Sequence, residues 1–186
     1  MVDYQEKFRD FWKTYNYIYE KQKEIYILSE EYDNDLSSFI QPIKEQKDSL
    51  DHIVRAYKEY YDIENLQNEN LIVDNLNKAL GHIFRAYYDT VDFFSIILRQ
   101  KISANLQNFT YSQIVSVWKD YEIYRKQLVN FPEKLAQLRL NKGIDKSNNE
   151  ISVKIEKYQK IIYELFDIFK IFMLEIYPKL VKKFNL

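Results

Sequence analysis

The stretch from Leu71 to Leu106, LIVDNLNKALGHIFRAYYDTVDFFSIILRQKISANL, decides the fold. Its apolar residues Leu76, Leu80, Ile83, Tyr87, Val91, Phe94, Leu98 and Ile102 recur three and four apart, the period of one helix face. No proline interrupts the run, which at 1.5 Å per residue spans roughly 50 Å. A helix of that length has to bury its stripe against neighbours along most of its course, so an elongated helical bundle is expected.

Towards the N-terminus, Phe8, Phe11, Tyr15, Ile18, Ile25 and Leu28 repeat at helical intervals and predict a first helix from Tyr4 to about Ser29, closed by EEYDND. A second helix is expected to begin between Ser38 and Pro42, where Ser38 and Gln41 have capping-box spacing and Pro42 suits a first turn. It runs to about Glu64, and NLQNEN supplies the turn into the long helix. Towards the C-terminus, Thr110 and Gln113 cap a fourth helix carrying Ile114, Trp118, Tyr121 and Arg125. Asn130, Pro132 and Glu133 predict a kink or restart, and Gly143 suits the end of the short helix that follows. Ser147 and Glu150 open a last helix, interrupted or bent near Pro178. That helix is apolar nearly all round, with a polar stripe of Lys160, Glu164 and Asp167, which places it at the centre of a bundle or inside an oligomer.

Composition agrees. Two glycines and three prolines in 186 residues are too few for the turns of an all-β or βαβ fold, and the length suits one core. The expected fold is all-α: an elongated bundle of four to six helices, residues 1–186 forming a single domain. Zero cysteines exclude disulfides, thiolate catalysis and cysteine-ligated metals. The charged start MVDYQEKFRDFWK is no secretory signal, and Glu164, Asp167, Lys170 and Glu175 interrupt the most apolar stretch, so no membrane association and a cytoplasmic location are expected. Seventeen Tyr and twelve Phe accompany abundant Ile, Lys and Asn, a pattern that an AT-rich genome produces without any binding role. Net charge is −1 but uneven: residues 1–118 hold 13 basic and 19 acidic side chains (−6), and residues 119–186 hold 14 and 9 (+5).

One string occurs twice, thirty residues apart: LDHIVRAYKEYYD from Leu50 and LGHIFRAYYDTVD from Leu80, with seven of thirteen positions identical. Both histidines of the chain lie in it. On a helix His52, Arg55, Glu59 and Asp62 form one stripe, and His82, Arg85, Asp89 and Asp92 form its counterpart. An internally duplicated helical hairpin is the reading. A turn centred near residue 68 would set His52 level with Arg85, Arg55 level with His82, and Glu59 level with Lys78. Gly81, beside His82 in mid-helix, costs about 1 kcal/mol relative to alanine unless another backbone or a ligand comes close.

Several chemistries use residues of these types. A di-iron bundle needs Glu three positions before each His, where Ser49 and Ala79 stand. Magnesium-dependent nucleotide hydrolysis uses carboxylate pairs spaced i, i+3; Glu59/Asp62 and Asp89/Asp92 have the spacing, but that turn leaves them about eleven residues out of level. HEPN ribonucleases place Arg ahead of His, whereas each His here precedes its Arg by three, so the similarity ends at composition and helicity. The basic C-terminal third, with Arg139, Lys142, Lys146, Lys154, Lys157, Lys160, Lys179, Lys182 and Lys183, offers nucleic acid a surface. The preferred expectation is a non-enzymatic helical interaction protein, self-associating or a subunit of a larger assembly, without metal or cofactor. The alternative is a phosphate-directed protein, an RNA binder or hydrolase, using the His/Arg/carboxylate cluster.

Overall fold

The computed structural model describes residues 4–33, 39–61, 68–140 and 148–185, and almost all of these are helical. The elements are α1 (Tyr4–Tyr32), α2 (Ile40–Tyr61), α3 (Glu69–Leu106), α4 (Tyr111–Val117), α5 (Tyr121–Leu140), α6 (Asn148–Ile171), a π-helical turn (Phe172–Ile176) and α7 (Tyr177–Phe184). No strand occurs among the described residues.

The expected long helix is α3. Asn68 caps it by accepting the Leu71 N–H on its side chain, and its 38 residues reach about 57 Å. Two hydrophobic clusters divide that length. At the N-terminal end, Ile72, Leu76 and Ala79 pack against Phe8 and Phe11 of α1 and Ile53 and Ala56 of α2. Further along, Ile83, Tyr87, Val91, Phe94, Leu98 and Ile102 join a larger cluster with α5, α6 and α7. Tyr15 and Leu80 lie against both.

The all-round apolarity of the last helix is absorbed within the chain: Ile155, Tyr158, Ile162 and Leu165 of α6 are fully buried. Their polar neighbours are satisfied there. The Tyr87 hydroxyl donates to the Ile155 carbonyl at 3.1 Å and the Tyr158 hydroxyl to the Leu135 carbonyl at 2.9 Å. Burial raises the pKa values of both phenols, which therefore stay protonated donors across the physiological range.

One local expectation needs correction. The break expected at Asn130–Pro132 lies earlier, between α4 and α5. There Trp118 leaves helical geometry (φ −102, ψ 86) and turns inward, 3% exposed, against Tyr121, Tyr124 and Phe172. Burial of one large aromatic outweighs the local preference to continue the helix. The Thr110–Gln113 capping box is formed, but it opens only the seven residues of α4. Pro132 itself sits inside an unbroken α5, where it removes the N–H that the Leu128 carbonyl would accept. The interruption expected near Pro178 is present as a π-helical turn just before it, in which the Tyr177 N–H reaches back five residues to Phe172. The Ser38 and Ser147 caps, the EEYDND stop beyond Asp33 and the Gly143 terminus lie outside the described residues.

Leu98 is fully buried in the larger cluster, whereas Leu174 in the π turn is 75% exposed. Leu98→Ala is expected to lower unfolding free energy by about 2–5 kcal/mol, and Leu174→Ala to change it by less than about 0.5 kcal/mol. Urea unfolding followed by circular dichroism measures both.

Candidate functional site

α2 and α3 pack antiparallel, with Glu45 meeting His82 and Arg85, Ser49 meeting Ala79, and His52 meeting Asn75. At Ser49 the hydroxyl donates to the Ala79 carbonyl at 2.8 Å, both residues being fully buried. Small side chains at these positions let the two backbones come close. They are the places where a di-iron site would need glutamates.

Both histidines enter this seam. His52 and His82 stack across it, with ring centroids 5.3 Å apart and planes 21° from parallel. The Asn75 side-chain N–H donates to the Leu71 carbonyl at 2.8 Å, which turns its Oδ1 towards His52 at 2.9 Å, so His52 Nδ1 is the donor of that bond. His82 Nδ1 lies 2.8 Å from Glu45 Oε2, and Arg85 Nε donates to the same oxygen at 2.8 Å. An Arg85 guanidinium nitrogen is also 2.6 Å from His82 Nδ1. One ring nitrogen cannot donate to Glu45 and accept from Arg85 together, so the proton on His82 selects one partner or the other. Gln41 donates to the second carboxylate oxygen of Glu45 at 3.1 Å.

Glu45 is thus the anion of the seam. Burial pushes its carboxyl pKa up, but the hydrogen bonds and charges of Arg85 and His82 outweigh burial and hold it below the ordinary glutamate range. Beside it a second polar chain ties three helices: Gln46 donates to Gln22 at 2.9 Å, Gln22 to Thr90 at 3.2 Å, and Thr90 to the Ala86 carbonyl at 2.8 Å. Gln22 and Thr90 are buried, and each is satisfied by the next.

The register differs from the one expected. The Ser49–Ala79 contact centres the hairpin near residue 64, about one helical turn from the expected position on each strand of the pair. Asn68, taken as the middle of the turn, is in fact the N-cap of α3. Arg55 is therefore not level with His82; it is exposed and lies 3.8 Å from Asp51 on its own helix. Arg85 meets Glu45 in place of His52, and Glu59 accepts the Asn68 N–H at 2.9 Å instead of facing Lys78. Asp62 lies outside the described residues. Asp89 and Asp92 face the other way, towards α5, where both pair with Arg139, Asp89 at 3.4 Å. The repeated strings thus bring together His52, His82 and Arg85, and separate Arg55, Glu59, Asp89 and Asp92 from them. Glu45 and Asn75, the partners that organise the seam, lie outside both repeats.

Among the described residues no three His, Asp or Glu side chains converge as metal ligands, and no helix is long and apolar enough to cross a membrane. Compared with family models, with curated proteins and with solved structures, the chain matches none.

The opposite face of α2 has a different character. Ile40, Ile43, Leu50, Val54 and Tyr61 are 52–75% exposed, and at 100° per residue they fall within an arc of about 80°. Lys47 completes this near-heptad stripe, and Lys44, Asp51, Arg55 and Lys58, all exposed, border one side of it.

Because the folded-state pKa of Glu45 is depressed, its contribution to stability is complete above the unfolded glutamate value and is lost as pH falls through the folded one. Glu45→Gln is expected to cost roughly 1–3 kcal/mol at pH 7, leaving Arg85 and His82 without their anion, and the gap from the parent should close on acidification below the ordinary glutamate range. Chemical denaturation at a series of pH values measures both; a gap independent of pH would contradict this role for Glu45.

Proposed function

We propose that the chain is a non-enzymatic interaction protein, a subunit of a larger assembly, that docks an acidic amphipathic helix of its partner along the exposed stripe of α2. The observation that carries this reading is the stripe itself. Five large apolar side chains aligned on a helix whose other face is packed are an unusual exposure for a folded chain and have the spacing of a helix-pairing seam.

Charge selects the kind of partner. Four basic residues, Lys44, Lys47, Arg55 and Lys58, lie in or beside the stripe against one acidic residue, Asp51. A second α2 laid parallel would set Lys47 against its own copy, and one laid antiparallel would bring Lys44 beside Lys58. A partner helix with apolar a and d positions and glutamates beside them satisfies both the stripe and its border. The seam supports this use by holding α2 through its inner face, so that the outer face is presented on a preorganised helix. The repeated strings fit the same picture: residues thirty apart, Ser49 and Ala79, meet between the two helices, as in a duplicated helical hairpin whose second helix lengthened into the core.

A helical peptide of three heptads, with Leu and Ile at a and d and Glu at e and g, serves as the probe. Fluorescence anisotropy should show saturable binding that weakens with salt, whereas the same peptide with Lys at e and g should not bind. Leu50→Glu with Val54→Glu should abolish binding while changing stability by less than about 0.5 kcal/mol per site, because both positions are more than half exposed. Equal binding by the variant, or by the basic peptide, would overturn the reading. So would a concentration-dependent dimer in sedimentation that the same variant dissolves, since a second copy would then be the occupant.

A further inference from the structure

Independent of the α2 stripe, the other end of α3 forms, with α4 and α5, an open groove of about 480 Å³. That volume lies in the range of small-molecule sites. Ile102, Leu106, Ile114, Leu128 and Val129 line it, Ser103 and Gln107 add uncharged polar groups, and no acidic side chain is among its lining residues. Arg99 stands where this groove meets an adjoining cavity of about 380 Å³.

Arg99 is the exception among the six arginines of the chain. Arg9, Arg55, Arg85, Arg125 and Arg139 each lie within ion-pair distance of at least one carboxylate. Arg99 has no such partner among the described residues; its Nε donates to the Ser95 carbonyl one turn back, at 3.2 Å. Burial opposes its charge, lowering its pKa, and no carboxylate offsets that cost. Ser95 is 1% exposed, lines the adjoining cavity, and its hydroxyl has no hydrogen-bond partner among the described residues. The two carboxylates in that adjoining cavity, Asp89 and Asp92, are committed to Arg139. Among the described residues, an unmatched guanidinium and an unmatched hydroxyl therefore sit on one face of α3, at the edge of an open apolar groove.

We propose that this groove binds an amphipathic monocarboxylate, a medium-chain fatty acid in chemistry, with its carboxylate on the Arg99 guanidinium at the junction and its hydrocarbon over Ile102, Leu106, Ile114, Leu128 and Val129. A planar guanidinium accepts a carboxylate through two parallel hydrogen bonds, and the Ser95 hydroxyl adds a third donor at the junction. One free cation matches one negative charge: the second arginine of the groove, Arg125, is already 3.6 Å from Glu122, so a dianionic phosphate would lack its second counter-charge. The apolar wall then distinguishes a carboxylate carrying a chain from acetate or formate.

Decanoate is the probe, titrated below its micelle concentration into the full chain by calorimetry, with decanol as its uncharged analogue. Saturable binding at one site is expected, with decanol at least about tenfold weaker and Arg99→Gln weakening decanoate by about ten- to a hundredfold. Leu128→Trp, which fills the groove, should abolish binding while an unchanged circular dichroism spectrum reports an intact fold. Decanoate should raise the thermal midpoint of the parent and leave that of Arg99→Gln unmoved. Without ligand, Arg99→Gln should melt no lower than the parent, since it removes a buried charge that has no partner. The proposal is overturned if the parent shows no saturable binding, if decanol or Arg99→Gln matches decanoate with the parent, if Leu128→Trp binds normally, or if Arg99→Gln alone melts well below the parent.

Discussion

Two hydrophobic clusters share two long helices, the uninterrupted α3 and, running beside it, α1. The N-terminal third of α3 is covered by α1 and α2, its remainder by the rest of α1 with α5, α6 and α7. Near Leu80 the two coverings meet, and there small residues, Ala79 and Gly81, flank the large one. Because helix formation is cooperative and α3 continues through this junction without proline, loss of packing at one end leaves the other with a helix whose partner face is exposed. The mid-helix Gly81, costly in isolation, is buried here, in keeping with close packing at this point.

The seam between α2 and α3 illustrates how a polar contact set can specify a register that apolar packing leaves loose. Leucine and isoleucine tolerate a slip of one helical turn, because position i+4 presents much the same surface. Glu45 does not tolerate it: a slip would strand a largely buried carboxylate, and Arg85 and His82 opposite it. The Gln46–Gln22–Thr90 chain adds a second such constraint in the perpendicular direction, between α1 and the pair. Fully satisfied networks of this kind hold one arrangement against its neighbours at modest net stability.

Two features stand outside this economy of satisfied groups. The stripe on α2 exposes apolar surface that the fold had the option of covering, and Arg99 keeps a charge half-buried without a counter-charge among the described residues. Both cost stability in the isolated chain, and neither is required by the packing around it. Departures from local consistency tend to mark places where a protein meets something else, and the two lie far apart on α2 and on the C-terminal half of α3.

The sequence by itself determined that this chain is helical, where its longest helix runs, and that Thr110 and Asn68 belong to helix starts or turns, because those properties follow from period, propensity and a residue's near neighbours along the chain. It also placed two histidines on one hairpin seam, since a repeated string repeats its face. What only the tertiary structure decided was register and facing: that Glu45 rather than His52 answers Arg85, that Arg55 looks outward, and that Asp89 and Asp92 turn to Arg139. Register depends on where the connection between α2 and α3 closes and on how deeply Ser49 and Ala79 let the backbones approach, and a slip of one turn is invisible to a 3.6-residue period. Facing was equally hidden for α3, whose length exposes different sides to different neighbours, and for Trp118, whose inward turn answers to Phe172 more than fifty residues away.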